Sequence, residues 1–306
     1  MGIRTLEKED IDFAVSLTVE EGWNYTPAEI GLMLELDPEG SFVYEEEVPL
    51  GIATCVTYGR TGVLGHLIVS KKGRGRKIGH SLVDAAVDYM EGRGADSVLV
   101  HATEEAVRLY QNHGFAIRDE TSCIHLRLDN SYRRSSSAEC SQIERSDLSE
   151  IIDIDQKLFG DDRGKLIKLL YEESPEGAFK IDRAGKIEGF IFGRPDHVGS
   201  NVGPWVCLTG DERDADALFR TALTTLGNGK IYMGAFTSNL PALKIADELP
   251  TINRWQIRLM TKGKVRYHDR SCIGNRTRKV FGRGLYGRLS GTDRSSRKRS
   301  PRLRSS

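Results

Sequence analysis

Gly65-His66-Leu67-Ile68-Val69-Ser70-Lys71-Lys72-Gly73-Arg74-Gly75-Arg76-Lys77-Ile78-Gly79 is the stretch that decides the fold. Its opening residues form an apolar, β-branched run of strand type. The turn that follows combines glycines with five cations: Lys71, Lys72, Arg74, Arg76 and Lys77. From Ile78 to Met90 the apolar residues Ile78, Leu82, Val83, Ala86, Val87 and Met90 share one face of a helix. Strand, basic glycine turn and helix together make a phosphate site: free backbone N–H groups face the turn, and the helix dipole favours negative charge. Downstream, Leu109-Tyr110-Gln111-Asn112-His113-Gly114-Phe115 adds a phenol as proton donor. The pairing implies an enzyme that uses a phosphate-bearing cofactor.

Outward from this stretch the chain reads as a mixed α/β unit. Residues 3–6 predict a strand, Glu9 to Glu20 a helix, and Thr26-Pro27-Ala28-Glu29 the start of a second helix ending near Leu36. Ser41–Glu45, Leu50–Tyr58 and Val63–Val69 predict three strands, with Gly59–Gly62 as the turn between the last two. Ser97–Val100 predicts a buried strand, Glu104–Asn112 a helix and Ile124–Leu128 a closing strand. The unit spans 1–131, and the polar residues 132–138 form a linker. Over 139–263 the same order returns: helices at Asp147–Phe159 and Lys165–Glu173, strands at Ala178–Asp182, Ile187–Arg194 and Trp205–Leu208, then helix Ala215–Leu226, strand Ile231–Ala235, helix Leu240–Glu248 and strand Trp255–Thr261. This is a diverged internal duplication, carried by element order more than by identity.

Composition narrows the class. With 39% hydrophobic residues, a chain of 306 residues can build two cores. No apolar run approaches the roughly 18–20 residues of a membrane span, and the N-terminus lacks an apolar signal core, so a cytoplasmic location is expected. The five cysteines, Cys55, Cys123, Cys140, Cys207 and Cys272, are scattered without a C-x-x-C pair, which argues against a disulfide framework or a zinc site. The net charge of zero conceals an asymmetry. Residues 262–306 hold 15 basic and 2 acidic residues, leaving 29 basic and 42 acidic in 1–261. The segment 264–306 is expected to be largely disordered. It is either a solvated end or a weak contact for RNA, DNA or anionic lipid, without the aromatics that base stacking needs.

The first unit resembles the GNAT superfamily of N-acetyltransferases over Ile3 to Leu128. Arg74-Gly75-Arg76-Lys77-Ile78-Gly79 stands at the motif Arg/Gln-x-x-Gly-x-Gly/Ala, and Tyr110 precedes Gly114-Phe115 as the family's tyrosine does. The second unit is similar to the C-terminal GNAT-like domain of tandem acetyltransferases, through Phe159-Gly160-Asp161-Asp162-Arg163, Gly203-Pro204-Trp205 and Arg258-Leu259-Met260. The resemblance implies two GNAT-like domains, acetyl-CoA as the acyl donor, and transfer of an acetyl group to a primary amine of a small molecule or protein by direct attack. Leu67, Ile68 and Val69 are then expected to offer backbone groups to the pantetheine arm. Arg74, Gly75, Arg76, Lys77, Ile78 and Gly79 would hold the pyrophosphate, and Tyr110 would protonate the departing thiolate. Thr103 is either a pantetheine contact or the N-cap of its helix.

Lys77 departs from the motif, which has glycine there. A left-handed backbone would be costly for lysine, by roughly 1 kcal/mol, whereas a helical one would be tolerated. The second unit carries Asp211, Glu212, Asp214 and Asp216 where a pyrophosphate turn would fall, so it is not expected to bind CoA in the usual way. It would shape the acceptor site or form a homodimer surface. The general base stays open among His66, His101, Glu20, Glu21 and Glu45. Trp23, Tyr25 and Met33 are either acceptor wall or core, and Trp205 is a core or interdomain anchor. The competing reading is a non-catalytic acyl-CoA-binding or scaffold protein tethered to nucleic acid by the tail.

Overall fold

Local chemistry sets most element boundaries in the computed structural model, which describes residues 2–23, 25–130, 137–195 and 199–265. At Thr26 the predicted start of a helix is realised: Thr26 Oγ1 accepts from the Glu29 N–H at 3.3 Å, and the Glu29 carboxylate accepts from the Thr26 N–H at 2.9 Å. Pro27 occupies the first helical position, where its missing N–H is harmless. The first unit runs β1 (Gly2–Thr5), α1 (Ile11–Glu20), α2 (Pro27–Leu36), β2 (Ser41–Glu45), β3 (Pro49–Tyr58), β4 (Thr61–Val69), α3 (Ile78–Gly92), β5 (Ser97–Ala102), α4 (Glu104–Asn112) and β6 (Ala116–Leu128). The second runs β7 (Cys140–Gln142), α5 (Leu148–Phe159), α6 (Gly164–Glu173), β8 (Ala178–Arg183), β9 (Lys186–Arg194), β10 (Ser200–Cys207), α7 (Glu212–Leu223), β11 (Gly229–Phe236), α8 (Leu240–Ala246) and β12 (Thr251–Gly263). The mixed α/β class and the repeated order both stand.

All twelve strands join one sheet in the order β1-β2-β3-β4-β5-β12-β6-β11-β10-β9-β8-β7. Neighbours are antiparallel except β4–β5 and β10–β11, which are parallel. The order contains an exchange. β12, the last strand of the second unit, lies between β5 and β6 of the first, with Met260 opposite Val100 on one side and Trp255 opposite Cys123 on the other. β6 in turn pairs with β11, Leu126 opposite Ile231. Each unit's final strand is therefore built into the other's half of the sheet. β6 also begins eight residues earlier than Ile124, the predicted start. Its first half, Ala116 to Cys123, looks too polar for a strand. It is held by β12, with Arg118 donating to Thr261 Oγ1 at 2.8 Å and Glu120 paired with Arg258. Residues 132–136 of the linker and 266–306 of the tail lie outside the described residues.

Helices α3 and α4 cover one face of the first half through Ile78, Leu82, Val83, Ala86, Val107 and Tyr110. Helices α1 and α2 cover the other through Ala14, Leu17 and Ile30. A shared core joins the units: Met33 and Leu36 of α2 and Tyr58 of β3 pack with Phe159, Leu166, Phe190 and Phe192. The motif Phe159-Gly160-Asp161-Asp162-Arg163 serves this joint. Gly160 ends α5 in the left-handed region at φ 99°. Asp161 accepts from the Arg60 N–H at 3.2 Å and the Thr61 hydroxyl at 2.5 Å, clasping the β3–β4 hairpin. Arg163 lies over the Phe159 ring and donates two bonds to Asp155, at 2.9 and 2.5 Å. Trp205 stacks on Phe219 in the core of the second unit, and Met33 is core as well. Among the described residues no helix is long and apolar enough to cross a membrane.

Candidate active site

The site begins where two parallel strands part. β4 and β5 pair only from Thr61–Leu64 to Ser97–Val100. Beyond that point β4 stays on β3 as far as Val69, while β5 stays on β12 as far as Ala102. The β3–β4 register slips between Ile52/Ile68 and Thr54/Gly65, which places a bulge on β4 with His66 at φ 40°. Among the described residues the backbone of Gly65–Val69 therefore has no strand partner on its β5 side. Leu67, Ile68 and Val69 lie in this open segment. Ile68 fills the α1–α2 core, and Leu67 and Val69 pack on the α3 side, so side chains and backbone are free to do different work.

The basic turn closes the lower end of the opening. Gly75 is left-handed at φ 77°, and so is Lys77 at φ 62°, ψ 12°, immediately before α3. The costlier of the two conformations considered for Lys77 is the one adopted. Among the described residues no side chain caps α3, so the N–H groups of its first turn, Ile78 to His80, are left to a ligand or solvent. At Gly79 an added Cβ would lie 3.7 Å from Leu109 and 3.8 Å from Val69, ordinary contacts, so the position takes glycine or alanine. The two arginines are already ion-paired, Arg74 with Glu21 and Arg76 with Glu46. Arg74 also donates to the Val69 carbonyl at 3.2 Å, folding the turn back onto β4.

Tyr110 of α4 is buried, its ring edge-on to Phe115 at 5.6 Å. Burial raises the phenol pKa, so the proton stays on through neutral pH. Thr103 precedes α4 with extended backbone, and its carbonyl accepts from Ala106 N at 3.0 Å, but its hydroxyl makes no cap bond. Of the two roles weighed for Thr103, the side-chain cap is not made.

The base candidates separate by place. His66 sits in the bulge, with Nδ1 2.8 Å from Thr54 Oγ1 and its ring edge-on to Tyr25 at 4.6 Å. Nε2 is buried without a hydrogen-bond partner among the described residues. Burial pulls its pKa down to about 4, so the imidazole is neutral at pH 7. His101 is the penultimate residue of β5, opposite Leu259. Glu20 is exposed, while Glu21 is bound to Arg74 and Glu45 to Arg4. Of the two readings of Trp23 and Tyr25, the structure shows core: Tyr25 is buried among the α1–α2 residues with Trp23 packed on it, ring centroids 6.4 Å apart, and a groove of about 680 Å³ opens nearby between α2 and α6, lined by Ile11, Thr26, Glu29, Leu32, Glu35 and Leu169.

One cluster escaped the sequence reading. His80 Nδ1 lies 3.0 Å from His113 Nε2, and His113 Nδ1 lies 2.8 Å from Asp84 Oδ1. This chain pins the first turn of α3 to the turn after α4. Its signal was the i, i+4 spacing of His80 and Asp84 on a helix face. In the second unit, β10 and β11 part after Asn201/Tyr232, but the start of α7 is already filled. The Asp211 carboxylate accepts from the Arg213 N–H at 2.9 Å, and Asp214 is held by Arg183 and Thr209.

A sequence profile described as the Acetyltransferase (GNAT) family matches residues 8–115, and one described as an Acetyltransferase (GNAT) domain matches residues 151–273. The chain belongs to the GNAT acetyltransferase family, as a tandem of two such domains. The family generally binds acetyl-CoA. No curated protein matches the sequence. Among solved structures, the chain resembles a candidate acetyltransferase from Pyrococcus horikoshii, with TM-score 0.71 and 20% identity over 89% of this chain and 92% of that one. It also resembles a GCN5-related N-acetyltransferase from Sphaerobacter thermophilus, with TM-score 0.64 and 15% identity over 88% and 97%. At these identities the likeness is one of fold.

Proposed function

We propose that the chain is an N-acetyltransferase with one active site, in residues 1–131, that passes the acetyl group of acetyl-CoA directly to a primary amine. The observation that carries this reading is the meeting, in the first unit alone, of parted strands, an uncapped helix start behind a basic turn, and a buried phenol. The residues fit acetyl-CoA. The backbone of Gly65–Val69 has groups left over for the pantetheine amides, the open N–H groups of Ile78 to His80 suit the pyrophosphate, and the Thr103 hydroxyl is uncommitted to a cap. Lys77 adds charge at the turn, and Arg74 and Arg76 would do so on exchanging Glu21 and Glu46 for phosphate. In the second unit the carboxylate of Asp211 occupies the equivalent helix start, which supports one site per chain.

Bound acetyl-CoA supplies the acyl group as a thioester. His66 takes the amine proton at Nε2 only in the tautomer whose Nδ1–H donates to Thr54 Oγ1, and its lowered pKa makes it a weak base there. Tyr110 donates a hydrogen bond to the leaving sulfur. Burial makes its phenol a weaker acid than an ordinary thiol of pKa about 8.5, so it stabilises the thiolate by hydrogen bonding more than by complete proton transfer. Replacing Tyr110 by Phe should lower turnover by about 10²-fold while CoA affinity, read by calorimetry, stays similar. Unchanged turnover would remove Tyr110 from the reaction. The broader test is thiol release from acetyl-CoA across a panel of amines. No release with any acceptor, joined to no acetyl-CoA binding, would overturn the enzyme reading.

A further inference from the structure

Two arginines of the second unit are buried, and they differ in their counterions. Arg163 is 2% exposed and is held by both oxygens of Asp155. Burial alone would lower its pKa, but the charge and hydrogen bonds of Asp155 outweigh that and leave it raised. Arg194, the last residue of β9, is 3% exposed. Its guanidinium makes one hydrogen bond among the described residues, from Nη1 to the Gly203 carbonyl at 2.9 Å, and buried Nε has no partner. No carboxylate of the described residues forms an ion pair with it. The acidic group whose field reaches it is Glu29 of α2, and that carboxylate is already bound by the Thr26 N–H and hydroxyl. Burial takes Arg194 down to about 9, the opposite direction from Arg163. Among the described residues this buried guanidinium meets no paired anion, and such an arrangement is incomplete.

Its position says which anion would complete it. Along β9, Arg194 points to the same face as Phe190 and Phe192, the face covered by α5, α6 and the end of α2. Helix α2 starts next to Tyr25, which stands edge-on to His66. Helix α3, whose start suits the cofactor phosphates, packs on the opposite face. Arg194 therefore lies on the face of the sheet opposite α3, the face that also carries Tyr25 beside His66. With Nη1 taken by Gly203, the remaining Nε–Nη2 edge is a planar fork that matches one carboxylate in spacing and charge.

We infer that Arg194 receives the carboxylate of the acyl acceptor, so that the acceptor is an amine that also carries a carboxylate and the second unit selects what the first acetylates. This rests on the acetyl transfer proposed above.

The test measures thiol release from acetyl-CoA with matched pairs, amino acids against their amides, and with phosphoethanolamine as a phosphate-bearing amine. It uses the full chain, Arg194→Met and Arg194→Lys. The wild-type chain should favour acids over amides by at least about tenfold in kcat/KM, mostly through KM. Arg194→Met should bring that ratio near one, and Arg194→Lys should restore part of it. The wild-type ratio and the lysine variant keep the test decisive if Arg194→Met does not fold. Equal rates for acids and amides, or a preference that survives Arg194→Met, would overturn the inference, and a preference for phosphoethanolamine would overturn the carboxylate. Turnover of amides without any preference sinks this inference alone, whereas no thiol release with any amine sinks the proposed function itself.

Discussion

Lys77 holds a left-handed backbone, at φ 62° and ψ 12°, where glycine would hold it without strain. That conformation costs an L-residue about 1–2 kcal/mol, and glycine gives back about 0.5–1 kcal/mol in chain entropy. Lys77→Gly should therefore raise stability by up to about 1 kcal/mol, seen as a higher thermal midpoint. If the ammonium also meets cofactor phosphates, the same change weakens acetyl-CoA binding, so the two effects have opposite signs. A lower midpoint would show that the lysine side chain makes up for its own strain. His66 gives the second residue-level prediction. Its pKa is about 4 when folded and about 6.5 when unfolded. The unfolded chain binds the proton more readily, so this contribution is full above about pH 6.5 and declines as pH falls toward 4. The span is worth on the order of 3 kcal/mol. Denaturant midpoints taken across that range should flatten in His66→Gln; an unchanged slope would mean the imidazole is not buried neutral. Sequence spacing marked both residues. It could not tell which backbone region Lys77 adopts, or that Thr54 and Tyr25 enclose His66, because those facts depend on neighbours far along the chain.

Element by element, local pattern carried far. The helix starts at Pro27 and Glu104 and the strands β2, β3 and β4 fall within a residue or two of their sequence signals, because caps, turns and apolar alternation act over a few residues. The first half of β6 was missed, since its polar side chains are stabilised by β12 and not by a local pattern. The joint at α5–α6 is similar. Phe159 to Arg163 is visible as a motif, yet its work, clasping the β3–β4 hairpin and pairing Arg163 with Asp155, appears only when the units meet. Asp155→Asn would leave Arg163 without its counter-charge at 2% exposure, and should cost about 3–5 kcal/mol in thermal or denaturant unfolding. A loss below about 1 kcal/mol would mean that the Phe159 ring and solvent suffice for the guanidinium.

At the scale of the molecule, the strand exchange makes the two units depend on each other. β5 forms one wall of the opening, and beyond Val100 its remaining strand partner is β12 of the second unit. The opening between β4 and β5 is thus flanked on its β5 side by the last strand of the second unit. Residues 1–131 expressed alone would carry every proposed cofactor contact but leave the β5 and β6 ladders unpaired, an edge prone to association. That fragment should fail to give a monomeric, cooperatively unfolding domain by size-exclusion chromatography and thermal denaturation. A stable monomer that binds acetyl-CoA would show that the exchange is dispensable.

By itself the sequence determined the class of fold, the repeat, the basic glycine turn and the position of Tyr110, because each is written in residue types a few positions apart. The tertiary structure alone decided three matters: the exchange of β6 and β12, the left-handed state of Lys77, and the burial of His66 and Arg194. These depend on which strands pair across more than a hundred residues of chain, and on how much water the assembled faces exclude. Pairing and exclusion at that range are properties of the packed molecule, which no local pattern encodes.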